Sequence, residues 1–291
     1  MRALEVVRAG ALTTVQDLGR PGYAHLGVPR SGALDTGAHA LGNRLLGNPP
    51  EAAALETTLD GVALRAVGGP VTVAVTGAPC AVRVCGRPVA WGAPVLLRAG
   101  AELEVGRAES GVRGYVAVRG GFAVEPVLGS RSTDLLSGLG PPVLTAGALL
   151  PVGRPGADPL AGVDAPAAPG PPSELVLALR LGPRADWFTP GSLTGRLLRA
   201  EYRVSVASNR IGLRTEGPPL VRARSGELPS EGMVLGAVQV PPDGRPVVFL
   251  ADHPVTGGYP VVGVVPPGPA LDAAAQAGPG LTVRFVLAAG R

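Results

Sequence analysis

Short alternating segments, dense turn residues and little charge predict a mostly β protein: antiparallel barrels or sandwiches with a few short helices. The 291 residues include 44 glycines and 32 prolines, while 46% are hydrophobic and 16% charged. A polar chain this rich in Gly and Pro would read as disordered. Here the apolar fraction supplies a core to bury. Aromatic residues are only 3%, so that core is aliphatic.

The elements follow in order. Residues 11–33 are dense in turn formers, among them Asp17-Leu18-Gly19-Arg20-Pro21-Gly22 and Gly27-Val28-Pro29-Arg30-Ser31-Gly32, and read as ordered loop. A helix is expected over 35–46, because Ala38, Leu41 and Leu45 recur at helical spacing. Asp35 can cap its start, and Gly47 with Asn48-Pro49-Pro50 stops it. A second short helix is expected over 51–55. Alternation then predicts strands around 71–75, 81–84, 102–105 and 115–118. Residues 151–173 hold seven Pro, four Gly and five Ala and read as a linker or excursion. This divides the chain into a β-rich part with a loop-helix segment (1–150), the linker (151–173) and a second β part (174–291). Strands are expected there at 174–181, 203–206, 236–240, 246–251, 260–265 and 281–287, with a short helix at 271–277.

Composition excludes several chemistries. There is no lysine, so a lysine phosphate loop, a pyridoxal Schiff base and a lysine nucleophile are ruled out. The three histidines, His25, His39 and His253, do not have zinc-protease spacing, and two cysteines cannot form a four-thiolate site, so no metal is assigned. Cys80 and Cys85 would fall on opposite faces of one strand and read as two buried free thiols in a reducing compartment. The net charge of +4 comes with few aromatics, which argues against nucleic acid. The uncharged stretch 135–153 contains four glycines and a Pro pair, which argues against a membrane helix. The reading is a cytoplasmic protein.

Four stretches concentrate chemical groups. The first, 13–35, places Asp17, Arg20, Arg30 and Ser31 in irregular backbone, where an arginine can clamp a carboxylate or phosphate. The alternative is that its acids and glycines only shape turns. The second, around Arg119-Gly120-Gly121 and Gly129-Ser130-Arg131-Ser132-Thr133-Asp134, suits an anion nest or, more simply, a capped turn. The third, with Ser208, Asn209 and Arg210, lies in the most basic stretch: seven arginines against two acids between Arg196 and Arg224. The fourth is Asp252-His253 followed by Pro254-Val255-Thr256-Gly257-Gly258-Tyr259-Pro260. His253 suits acid–base work, but on a continuing strand it would point away from Asp252. These residues suit a small anionic ligand.

The motifs Thr14–Gly22, Gly27–Ala33, Gly129–Asp134, Ser208–Arg214, Ser230-Glu231-Gly232, Gln239–Gly244 and Thr256–Pro260 occur in an order that resembles the biotin-dependent carboxyltransferase family, also called allophanate hydrolase subunit 2. Val261 departs from the Lys or Arg that members often carry there, and Pro254-Val255 from a Gln-Thr pair. The resemblance implies cyclophilin-like β-barrel units. It implies two partners: a B-like protein resembling allophanate hydrolase subunit 1, and an A-like protein. The activity it implies first is ATP-dependent opening of 5-oxoproline to glutamate, with this chain as the C component of a hetero-oligomeric 5-oxoprolinase. The alternatives are half of a biotin-dependent carboxyltransferase, and a non-catalytic regulator binding a kinase-inhibitor homologue. ATP is then expected to be bound by or with a partner, and any biotin to arrive on another protein, since biotinylation needs a lysine. On this reading Asp17, Asp252 and His253 relay protons. Arg20, Arg30, Ser31, Arg131, Ser208, Asn209, Arg210, Gly257, Gly258 and Tyr259 bind substrate.

Overall fold

The computed structural model describes residues 1–156, 160, 173–226 and 228–288. The chain divides into two units. The first comprises Met1–Arg20, Ser31–Asp134 and Gly138–Pro171; the second comprises Pro21–Arg30, Leu135–Ser137 and Pro172–Arg291.

In the first unit the elements are β1 (Ala3–Arg8), β2 (Leu12–Gln16), α1 (Thr36–Leu45), β3 (Ala54–Thr58), β4 (Ala63–Val67), β5 (Val71–Gly77), β6 (Cys80–Val84), β7 (Arg87–Val89), β8 (Val95–Leu97), β9 (Glu102–Ala108), β10 (Arg113–Val118) and β11 (Leu149–Pro151). They form a six-stranded sheet, β11-β1-β4-β9-β6-β7, and a five-stranded sheet, β2-β3-β10-β5-β8. One aliphatic cluster includes Leu4, Val15, Leu55, Leu64, Leu103 and Val116. The helix begins as expected: the Asp35 side chain accepts from Ala38 N at 2.8 Å, satisfying an amide at its open end.

The second unit holds β12 (Glu174–Leu181), β13 (Tyr202–Val204), β14 (Gly212–Glu216), β15 (Glu231–Gly232), β16 (Ala237–Gln239), β17 (Val247–Phe249), β18 (Thr256–Gly257), β19 (Val261–Val264), α2 (Pro269–Ala275) and β20 (Thr282–Leu287). Seven strands close into a barrel in the order β12-β19-β16-β17-β14-β13-β20. The β15–β18 ribbon forms a separate two-stranded sheet. Strand β12 lies parallel to β20, and the other pairings in this unit are antiparallel. Closure leaves this barrel no free sheet edge.

Three expectations need correction. Residues 11–33 are not all loop: Leu12–Gln16 is β2, paired with β3. Its alternation is hidden because Thr13, Thr14 and Gln16 are as buried as Val15. No helix forms at 51–55. Ala54–Thr58 is β3, where pairing with both β2 and β10 overrides the helical preference of Ala and Glu. The cysteines are free, but neither is buried: Cys80 is half-buried and Cys85 exposed. Cys85 takes φ 49° beside Gly86 at φ 78° in the two-residue turn joining β6 to β7. That turn requires left-handed backbone and lifts the side chain off the strand.

Of the expected linker, Pro151 belongs to β11 and Val152 bridges Phe122. Most of 157–172 lies outside the described residues. Among the described residues, no helix is long and apolar enough to cross a membrane.

Candidate functional site

In the first unit three separated motifs meet in one buried knot. The Asp17 carboxylate accepts from Gly19 N (2.8 Å), Ser130 Oγ (2.6 Å), Ser132 Oγ (2.5 Å) and Arg131 N (2.6 Å). Arg20, 1% exposed, donates to the Val127 and Ser132 carbonyls. Ser31 Oγ and Gln16 Nε2 both donate to the Thr133 carbonyl. Ser31 itself takes φ 54°, and a side chain at the following Gly32 would overlap the Leu18–Gly19 backbone. Strained backbone of this kind persists only where its surroundings over-determine it. Asp17 and Arg20 therefore bind this chain's own loops. Arg131 contributes its backbone N–H to Asp17, while its side chain donates to Val124 O. Arg30, assigned to the second unit, is exposed.

A buried polar cluster also lies in this unit. Tyr115 Oη donates to Glu56 Oε2 at 2.8 Å and accepts from Asp35 N at 2.8 Å. His39, fully buried, lies edge-on to Tyr115, with Nε2 3.2 Å from the Gln16 carbonyl. Burial lowers the His39 pKa, opposed by that carbonyl and by the charges of Glu56 and Asp17.

In the second unit, Arg210 and Asp252 form a bidentate ion pair with neither side chain exposed. Nε lies 2.9 Å from Oδ2, and Nη2 lies 2.9 Å from Oδ1. The Leu135 N–H also donates to Oδ2. The backbone turns after β17, so Asp252 and His253 do not continue a strand. Even so, Asp252 faces Arg210. His253 stacks on Phe249 with ring centroids 6.0 Å apart. Its Nδ1 lies 2.8 Å from the Pro254 carbonyl. A carbonyl only accepts, so Nδ1 is the donor in this contact.

The chain after His253 enters a corner shared by three motifs. Glu231 pairs with Gly257 across β15–β18. Gln239 Nε2 donates to Tyr259 O at 3.2 Å and lies 2.6 Å from where a Cβ on Gly257 would stand. A side chain there would have to push the Gln239 amide aside. Glu231 receives a bidentate contact from Arg184, whose guanidinium holds the carboxyl below its ordinary pKa. Tyr259 is 43% exposed at the rim. Ser208 and Asn209 instead close their own loop. Ser208 Oγ bonds Arg214, and Asn209 Oδ1 accepts from Ile211 N and Gly212 N.

Of the thirteen residues expected in the site, His253, Gly257, Gly258 and Tyr259 adjoin this corner; Asp252 and Arg210 form its buried support. Asp17, Arg20, Ser31 and Arg131 share the first-unit knot. Sequence reasoning did not select Arg184, Glu231 and Gln239 for the site. The Ser230-Glu231-Gly232 and Gln239–Gly244 motifs were the available signal for two of them. Among the described residues, no group of three or more His, Cys, Asp or Glu side chains is placed to hold a metal ion.

Residues 26–287 match the family model described as "Carboxyltransferase domain, subdomain A and B". The chain is 37% identical to the C subunit of 5-oxoprolinase from Escherichia coli over 277 residues, covering 90% of this chain and 84% of that protein. It is similar to the crystal structure of TTHA0988, with TM-score 0.87 and 36% identity, covering 98% of this chain and 56% of that one. It is also similar to the urea amidolyase of K. lactis, with TM-score 0.87 and 31% identity, covering 99% of this chain and 19% of that one. This chain thus spans little more than half of one solved relative and about a fifth of the other.

Proposed function

The chain belongs to the carboxyltransferase-domain family with subdomains A and B, and on that premise we propose that it is the C subunit of a cytoplasmic, hetero-oligomeric 5-oxoprolinase. The observation that carries this reading is the likeness to a 5-oxoprolinase C subunit along nearly the whole length of both proteins. The reaction opens the five-membered lactam of 5-oxoproline to glutamate, consuming ATP and water.

In this proposal the corner around His253 receives the substrate. Nε2 of His253 takes a proton from the attacking water, while the Nδ1–H bond to Pro254 O holds the ring in place. The ionised Glu231 and its Arg184 partner set the local charge. The exposed Tyr259 hydroxyl hydrogen-bonds the substrate. Asp252 and Arg210 act as positioning residues, because they are buried and held by a bidentate bond to each other. The proton-transfer role expected of Asp252 falls to His253 alone.

ATP is the partner's ligand in this proposal. Of Arg20, Arg30 and Arg210, the arginines expected to meet carboxylate or phosphate charge, Arg30 is exposed, whereas Arg20 and Arg210 are buried at 1% exposure and hold the loop carbonyls and Asp252 respectively. We therefore assign ATP to a B-like or A-like partner and route no step through it here. Biotin has no lysine to be carried on.

The test is reconstitution with the companion proteins, scoring ATP-dependent glutamate release from 5-oxoproline. Release that needs this chain, and falls about 100-fold with His253→Gln, is the expected result. Undiminished release without the chain overturns the reading. The second reading, half of a biotin-dependent carboxyltransferase, is favoured by the match to urea amidolyase. It requires consumption of carboxybiotin presented on a separate carrier protein.

A further inference from the structure

The first unit, unlike the barrel of the second, has sheet edges. Strand β2 is shielded by Thr133 N and Leu144 N, which donate to Val15 O and Thr13 O. Strand β11 is shielded by the Ala123 N–H donated to Pro151 O. Strand β7 carries Pro88, which has no N–H to offer. Among the described residues, strand β8, Val95-Leu96-Leu97, has none of these guards.

Its bonding geometry can be read from the register. Thr72 O accepts from Arg119 N, so Thr72 turns its backbone groups toward β10. Leu96 stands opposite Thr72, in the non-bonded position of the antiparallel ladder. The Leu96 N–H and C=O therefore point away from β5. Its side chain is 61% exposed, while Val95 packs on the core and Leu97 is fully buried.

The surroundings are basic. Residues 61–101 contain four arginines and no acid, with Arg65 already paired to Glu5 and Glu102. Arg98, which directly follows β8, is exposed. Trp91, between β7 and β8, packs on the core, and its buried Nε1 has no hydrogen-bond partner among the described residues.

We propose that β8 is a docking edge at which an extended segment of another protein, aliphatic at its centre and acidic at its flanks, adds a strand to the five-stranded sheet. Its backbone bonds the outward N–H and C=O of Leu96, its aliphatic residues cover Leu96, and an acid meets Arg98. This rests on the proposed function only in that a partner exists. A failed glutamate assay leaves the docking result standing.

The probe is a synthetic heptapeptide with a Val-Ile-Val centre and Asp/Glu flanks, titrated into the full chain by calorimetry. Trp91 emission, isolated in a Trp187→Phe background, supplies a second readout. Leu96→Pro removes the outward N–H without removing a bond to β5. Binding by the parent, weakened about tenfold or more by Leu96→Pro and by Arg98→Glu, is expected. Arg98→Glu leaves the strand backbone intact, so it stands as the test if the proline variant misfolds. A lysine-flanked peptide with the same centre should not bind. Three results overturn the proposal: no binding of the acidic peptide, equal binding of both peptides, or a concentration-dependent dimer of this chain abolished by Leu96→Pro. The last would give the edge to a second copy.

Discussion

Replacing Arg210 with alanine separates a structural arginine from a substrate clamp. The substitution removes two charge-assisted bonds from a carboxylate with no exposed surface. Breaking a buried pair from one side costs about 3–5 kcal/mol, because the remaining charge stays buried without its partner. At about 2–4 °C per kcal/mol, the melting temperature should fall by roughly 6–20 °C. Urea unfolding followed by Trp187 measures this in the second unit, once Trp91 of the first unit is replaced by Phe. Asp252→Asn should lose a comparable amount. The double replacement Arg210→Met with Asp252→Leu should recover much of the loss, since it leaves no unpaired charge. A loss below about 1 kcal/mol for Arg210→Ala, together with abolished glutamate release, would refute the reasoning. Arg210 would then be a ligand-binding group after all.

Asp17→Asn keeps the size of the side chain but loses acceptor capacity toward two hydroxyls and two amides. It should destabilise the first unit by about 3 kcal/mol in urea and speed proteolysis within 127–134. Burial lowers the His39 pKa in the fold, so near and below its ordinary value of 6.5 the unfolded chain binds more protons. Stability is therefore retained above that value and lost as pH falls from there toward the folded pKa. His39→Gln should flatten this acid limb in a pH series of urea midpoints, whatever its effect at neutral pH. Burial and Glu109 push the Cys80 thiol up to about 11, whereas Cys85 is exposed. One thiol should thus react quickly with a disulfide reagent at pH 8, and Cys85→Ser should remove that fast phase.

Local signals carried the secondary structure well where they were strong. Asp35, helical spacing and Asn48-Pro49-Pro50 located α1, and the strand expected at 174–181 matches β12 end to end. Strands β2 and β3 were missed because both lack alternation: β2 buries its threonines, and β3 is buried at four successive positions. The sites depended on distance along the chain. His253 and Gly257 share a contiguous motif and could be read together. Asp17 meets Ser130 and Ser132 from more than 110 positions away, and Arg210 meets Asp252 from 42 away. Without those pairings an arginine in a loop looks like an open hand for an anion. With them it is a bolt.

The discontinuous make-up of the second unit bears on how the protein is born. Pro21–Arg30 leaves the ribosome early, and Leu135–Ser137, which includes the amide donated to Asp252, follows far ahead of the barrel. These pieces remain without their unit until β20 has emerged. A cut before residue 172 would therefore not yield two complete halves, and a gene split there would orphan thirteen residues of the second unit on the wrong polypeptide.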